Sequence, residues 1–110
     1  MARRAVDVRR DPLARLEGAV LGLDLHHLVG AQKRSLFARV RDALRPGGRF
    51  VLADVVTPVD PADAVTSLTP GFDHPDSLAD QLAWLGELGF AYVGVTWTHR
   101  DLAVVVAGLP

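Results

Sequence analysis

Cysteine is absent from the 110 residues of this chain, which excludes disulfides and thiolate metal sites. Its longest apolar stretches are strand-sized, far below the ~20 residues a membrane-spanning helix needs. The formal net charge is −1, so no excess of positive charge argues for nucleic acid or an anionic membrane surface. Behind the basic start Met1-Ala-Arg-Arg there is no apolar core of a secretory signal. Neither G-x-S-x-G nor G-x-x-x-x-G-K-[ST] occurs, which removes the usual hydrolase and nucleotide-binding readings. These absences leave a soluble, cytoplasmic protein as the expectation, with no nucleic acid and no membrane among its partners.

Apolar residues make up 49% of the chain, enough to rule out a disordered composition. The length suits one domain with a real core, burying roughly two-thirds of the surface that the unfolded chain exposes. Arg3, Arg4, Arg9, Arg10 and Arg15 crowd the start, but Asp7 and Asp11 dilute them and no aromatics interleave. Val6 to Val8 reads as a short strand ended by Asp11-Pro12. Ala19 to Leu23 is an apolar run of the kind buried on both faces of a parallel sheet.

From Gln32 to Leu44 the residues Leu36, Phe37, Val40, Ala43 and Leu44 recur at helical spacing. Lys33, Arg34, Arg39, Arg41 and Asp42 are assigned to the opposite side. Pro46 cannot continue this helix, Gly47-Gly48 allows a sharp reversal, and Phe50 to Ala53 supplies a second buried strand ending near Asp54 to Val56. Strand, helix and strand at this spacing make a parallel βαβ unit.

Thr57 to Pro75 is proline-rich and reads as one long loop. Ser77 is an N-cap with Asp80 three residues on, and Leu78, Leu82, Leu85 and Leu88 stripe a second helix closed by Gly89. Tyr92 to Trp97 and Leu102 to Ala107 are strand-like, and only Thr98 to Asp101 separates them, which predicts an antiparallel hairpin.

Leu25-His26-His27-Leu28, the run from Lys33 through Leu44-Arg-Pro-Gly-Gly48 to Asp54, and Leu85-Gly-Glu-Leu-Gly-Phe90 resemble class I S-adenosylmethionine-dependent methyltransferases. The resemblance implies an α/β fold: a partial Rossmann-like sheet, strands four to seven, with a parallel βαβ unit and a C-terminal antiparallel hairpin. Residues 16–110 would be the C-terminal half of the domain and residues 1–15 an N-terminal remnant that includes part of strand three. The family's glycine-rich cofactor turn has no counterpart here, so the expectation is a truncated methyltransferase-like protein acting on a small-molecule acceptor. The alternative is a catalytically inactive remnant serving as an interaction or oligomerisation module.

The resemblance places the cofactor, S-adenosylmethionine, against Asp11, Gly22 and Leu23. It assigns proton chemistry, if either histidine performs it, to His27. Asp54 reads as a strand-end aspartate or as a substrate-side group, and His74 as a loop histidine or as part of the acceptor site. Adjacent residues of an extended segment point to opposite faces, so His26 and His27 are not expected to share a metal. Trp84 and Trp97 are expected to pack rather than to bind a cofactor. The strand that would pair with the edge at 19–23 is missing, which suits a homodimer or a complementing chain there.

Overall fold

The computed structural model describes residues 16–21 as backbone and residues 25–110 in full. The expected strand at Val6 to Val8 lies outside the described residues. Strand β1 spans Leu16–Leu21, followed by a 3-10 turn at Leu25–His27, helix α1 at Gly30–Ala43 and strand β2 at Leu44–Val55. A 3-10 turn at Pro61–Asp63 lies in the long connection, and then come helix α2 at Leu78–Glu87, strand β3 at Tyr92–His99 and strand β4 at Leu102–Gly108.

The four strands form one sheet in the order β1-β2-β4-β3. β1 and β2 are parallel, with Ala19 opposite Phe50 and Leu21 opposite Leu52. β4 runs antiparallel to both β2 and β3. The parallel crossover and the antiparallel hairpin both follow from the spacing of apolar runs in the sequence. Among the described residues, β1 and β3 are the edge strands.

α1 starts two residues earlier than its apolar period suggests, because the Gln32 carboxamide accepts the Val29 N–H at 3.0 Å and caps the first turn. At the other end no glycine cap is used: Leu44 is already extended and begins β2. Pro46-Gly47-Gly48 therefore lies inside the strand, where Arg45 to Gly48 loop out between the Leu16–Leu44 and Gly18–Arg49 pairs. Gly47 takes φ 74° there, and its N–H donates to the Pro110 carbonyl at 2.8 Å. The turn thus ties β2 to the end of the chain.

α2 follows its expected signals closely. The Ser77 hydroxyl accepts the Asp80 N–H at 3.1 Å. At the other end Gly89, at φ 93°, donates to Gly86 while Phe90 donates to Leu85, which is a Schellman closure. The β3–β4 turn is tighter than expected. His99 pairs with Leu102, leaving only Arg100 and Asp101 in the loop.

The core lies on the helix-covered face, where Phe37 and Val40 of α1 meet Phe50 and Leu52 of β2, Leu85 of α2 and Val105 and Ala107 of β4. Phe37, Phe50 and Phe90 form a chain of ring contacts with centroids 5.6 and 6.2 Å apart. On the opposite face Val51, Ala53, Val104 and Val106 are only half-buried. Trp84 packs against the core, and Trp97 lies half-exposed on the sheet surface, its ring stacked on His99.

Asp101 holds the long connection against this sheet. Its carboxylate accepts the Thr66 N–H at 2.8 Å, the Thr66 hydroxyl at 2.8 Å and the Val65 N–H at 3.1 Å. Burial pushes its pKa up, but the bonds from Thr66 and Val65 outweigh burial and leave it below the ordinary value. A depressed folded pKa contributes stability above the unfolded value of about 3.9, and that stability is lost as pH falls through the folded value. Asp101→Asn is expected to cost about 1–3 kcal/mol at neutral pH, because its NH2 would face backbone donors. It should also flatten the acid limb of a urea-midpoint-versus-pH curve. Faster amide exchange at Val65 and Thr66, with Phe50 and Val105 unchanged, would locate the effect in the connection.

Candidate functional site

The carboxyl ends of β1 and β2 lie side by side because the two strands are parallel, and polar groups collect there. Open α/β sheets place ligands at this edge. Phe50, Leu52 and Asp54 alternate with Val51, Ala53 and Val55, so Asp54 points to the same face as the aromatic core. It is 3% exposed.

A carboxylate so buried needs donors, and the described residues supply two. The Val55 N–H donates to Oδ1 at 2.7 Å, and His26 Nδ1 lies 2.8 Å from the same oxygen. Burial raises the pKa of Asp54, and the hydrogen bonds from His26 and Val55 oppose the rise without cancelling it. The alternation of β2 thus turns a strand-end aspartate into the orienting partner of a histidine.

The two histidines sit on the 3-10 turn that follows β1, not in an extended segment as the sequence suggested. A 3-10 turn rotates successive side chains by about 120° rather than 180°, so the two rings come together, 4.5 Å apart and edge to face. Leu25, buried in the core, anchors the turn, and the His74 N–H donates to the His26 carbonyl. His26 is largely buried while His27 is 39% exposed and rests against Phe72. Across from both rings stands Asp73, whose Oδ1 is 3.7 Å from His26 Nε2 and 3.3 Å from His27 Nε2. Its Oδ2 accepts the Thr69 N–H at 2.6 Å, which fixes the carboxylate in the connection.

His74 enters through its backbone. Its carbonyl accepts from Lys33 Nζ at 2.6 Å, and the same ammonium pairs with Asp76 at 2.7 Å. Lys33 is therefore not on the solvent side of α1, where the sequence reading put it, but is 1% exposed. Its spacing to Leu36, Phe37 and Val40 is that of the apolar stripe, and this was the available signal.

Of the residues singled out in the sequence, the structure brings His27, Asp54 and His74 to one edge together with His26. Asp11, Gly22 and Leu23 lie outside the described residues. Asp73 and Asp101 carried no pattern in the sequence, since isolated loop aspartates look alike until the tertiary fold positions them.

No family model matches the chain. The tetracenomycin polyketide synthesis 8-O-methyltransferase TcmO of Streptomyces glaucescens is 31% identical over 98 residues, covering 82% of this chain and 29% of that protein. The apo structure of the S-adenosylmethionine-dependent methyltransferase SibL superposes with a TM-score of 0.77 at 25% identity, covering 97% of this chain and 35% of SibL. A family 2 O-methyltransferase of Planctomyces limnophilus superposes with a TM-score of 0.74 at 23% identity, covering 96% of this chain and 33% of that protein. The chain thus spans about a third of the length of the relatives it matches. In sequence it resembles, and in fold it reproduces, strands four to seven of a class I S-adenosylmethionine-dependent methyltransferase.

Proposed function

We propose that this chain serves S-adenosylmethionine-dependent methyl transfer to a small-molecule hydroxyl, as the acceptor-side part of a methyltransferase domain. The observation that carries the reading is the His26–Asp54 pair at the carboxyl ends of two parallel strands, in a chain 31% identical to an O-methyltransferase. Residues 16–110 are read as the C-terminal half of the domain and residues 1–15 as a remnant of strand three. The cytoplasm is the proposed location, since a chain without cysteine suits a reducing compartment.

The described residues fit the acceptor end of such a site. Asp54 accepts from His26 Nδ1, which fixes the ring and leaves Nε2 as the proton acceptor for a substrate hydroxyl. The geometry thereby favours His26 over the more exposed His27 as the catalytic residue. His74 shapes the site through the backbone bonds that hold its loop to His26 and Lys33. The bound cofactor would supply an electrophilic methyl group, with Gly22, Leu23 and Asp11 as the residues expected against it. Positioning of the acceptor would provide much of the rate.

Calorimetric titration with S-adenosylhomocysteine is the test. Heat of binding at micromolar ligand is expected. His26→Gln should preserve that heat while lowering methyl transfer by about 10²–10⁴-fold, the usual contribution of one general base. Silence up to millimolar ligand from a folded chain would overturn the reading.

A second reading is favoured by the β1 edge of the described sheet and by the half-buried valines on the face opposite the helices. On that reading the chain is an interaction module whose β1 edge pairs with a second copy or a complementing chain. It predicts a larger particle in sedimentation, with no ligand heat.

A further inference from the structure

His26, His27 and Asp73 each offer one ligand atom, and these atoms lie within 4.8 Å of one another. Because a carboxylate only accepts, Nδ1 of His26 carries the proton it shares with Asp54. Nε2, the other nitrogen of that ring, faces Asp73 Oδ1 at 3.7 Å. His27 Nε2 lies 3.3 Å from the same oxygen. Asp73 is 8% exposed, and its Oδ1 is buried without a hydrogen bond among the described residues. A buried carboxylate oxygen left without a hydrogen bond beside two imidazole nitrogens is costly unless a cation lies between them.

We propose that His26, His27 and Asp73 form a three-ligand site for a divalent transition metal of the zinc class, with a fourth position open to water. Two imidazoles and one carboxylate are a zinc-type donor set, and three protein ligands leave a coordination position free. Asp54 completes the arrangement, because a carboxylate that holds the far nitrogen of a ligating histidine fixes its tautomer and raises its basicity. Metal–ligand bonds of about 2.0–2.2 Å at tetrahedral angles put donor atoms about 3.3–3.5 Å apart. The two aspartate–histidine distances, 3.3 and 3.7 Å, are already near that spacing. The widest pair, at no more than 4.8 Å, has to close by roughly 1.4 Å at most, and rotation of half-exposed His27 supplies it.

The proposal uses the same His26 nitrogen as the methyl-transfer reading but does not depend on the cofactor. Metal and substrate proton exclude one another at Nε2, so metal loading and proton acceptance compete.

The chelator-treated chain, free of cofactor, is titrated with zinc chloride by calorimetry and with cobalt(II) chloride by visible absorption. One zinc per chain at micromolar Kd is expected, together with the intense bands of four-coordinate cobalt. Asp54→Asn should weaken binding about 10–100-fold, as loss of an outer-shell partner does. Asp73→Asn and His27→Gln should each weaken it further, with unchanged circular dichroism. A folded chain that binds no zinc at millimolar concentration overturns the proposal. Binding that survives both Asp73→Asn and His27→Gln also overturns it, since the metal then sits elsewhere. Either failure leaves the S-adenosylhomocysteine titration free to succeed, and the reverse holds.

Discussion

Replacing Asp76 with alanine is expected to destabilise the fold by about 3–5 kcal/mol, the usual consequence of removing one partner from a buried ion pair. Lys33 is 1% exposed, and among the described residues its ammonium has two acceptors, Asp76 Oδ2 and the His74 carbonyl. The alanine variant leaves that charge inside the protein with a single carbonyl. Water cannot compensate where the ammonium is so enclosed, whereas Asp76 itself is 26% exposed and partly hydrated. The asymmetry makes a second prediction possible within the same pair. Lys33→Met should cost less than Asp76→Ala, because it removes the buried charge and abandons a carboxylate that water already reaches. Urea unfolding followed by circular dichroism checks both. Equal losses would show that the pair acts only as a contact between α1 and the connection.

Phe37→Ala is expected to cost about 3–5 kcal/mol, the range for truncating a buried aromatic. Phe37 is 0% exposed and lies at the centre of the core, where its ring meets Phe50 at 5.6 Å. The lost ring removes apolar burial and also an aromatic pair worth about 0.5–1.5 kcal/mol beyond its area. Domains of this kind are stable by only about 5–15 kcal/mol, so the variant forfeits a large share of the total. Phe37→Leu should lose much less, because it refills most of the volume. Thermal unfolding monitored by near-ultraviolet dichroism reads both, since the environments of Phe50 and Phe90 change with it. A small effect of Phe37→Ala would mean that α1 collapses onto the sheet after losing the ring.

How much of this was legible in the sequence differs from element to element. The period of Leu36, Phe37 and Val40 predicts α1, and the cap at Ser77 and the glycine at 89 fix both ends of α2. The short polar break before Leu102 predicts the hairpin, although the turn closes over only Arg100 and Asp101. These are local signals, carried by residues near one another in the chain. The Pro46-Gly47-Gly48 segment was legible as a break but not as a bulge within β2, because the bulge is defined by its partners in β1 and by Pro110. Lys33 departs from the expected solvent side because a lysine on an apolar stripe looks like the edge of that stripe. Only the Asp76 carboxylate and the His74 carbonyl, more than 40 residues away, make its burial tolerable.

The candidate site divides the same way. By itself the sequence determined that the chain is an α/β unit with a parallel crossover and a closing hairpin, since apolar periodicity and turn chemistry are written residue by residue. It also placed a histidine pair after one strand and an aspartate at the end of the next. Only the tertiary structure decided that His26 rather than His27 meets Asp54, because a 3-10 turn rotates the pair where a strand would have opposed it. Only it brought Asp73 across from both rings, through a connection pinned by Thr69, Lys33 and Asp101. The physical reason is distance along the chain: partners 28 to 47 residues apart, from His26–Asp54 to His26–Asp73, meet through packing and leave no period behind in the sequence.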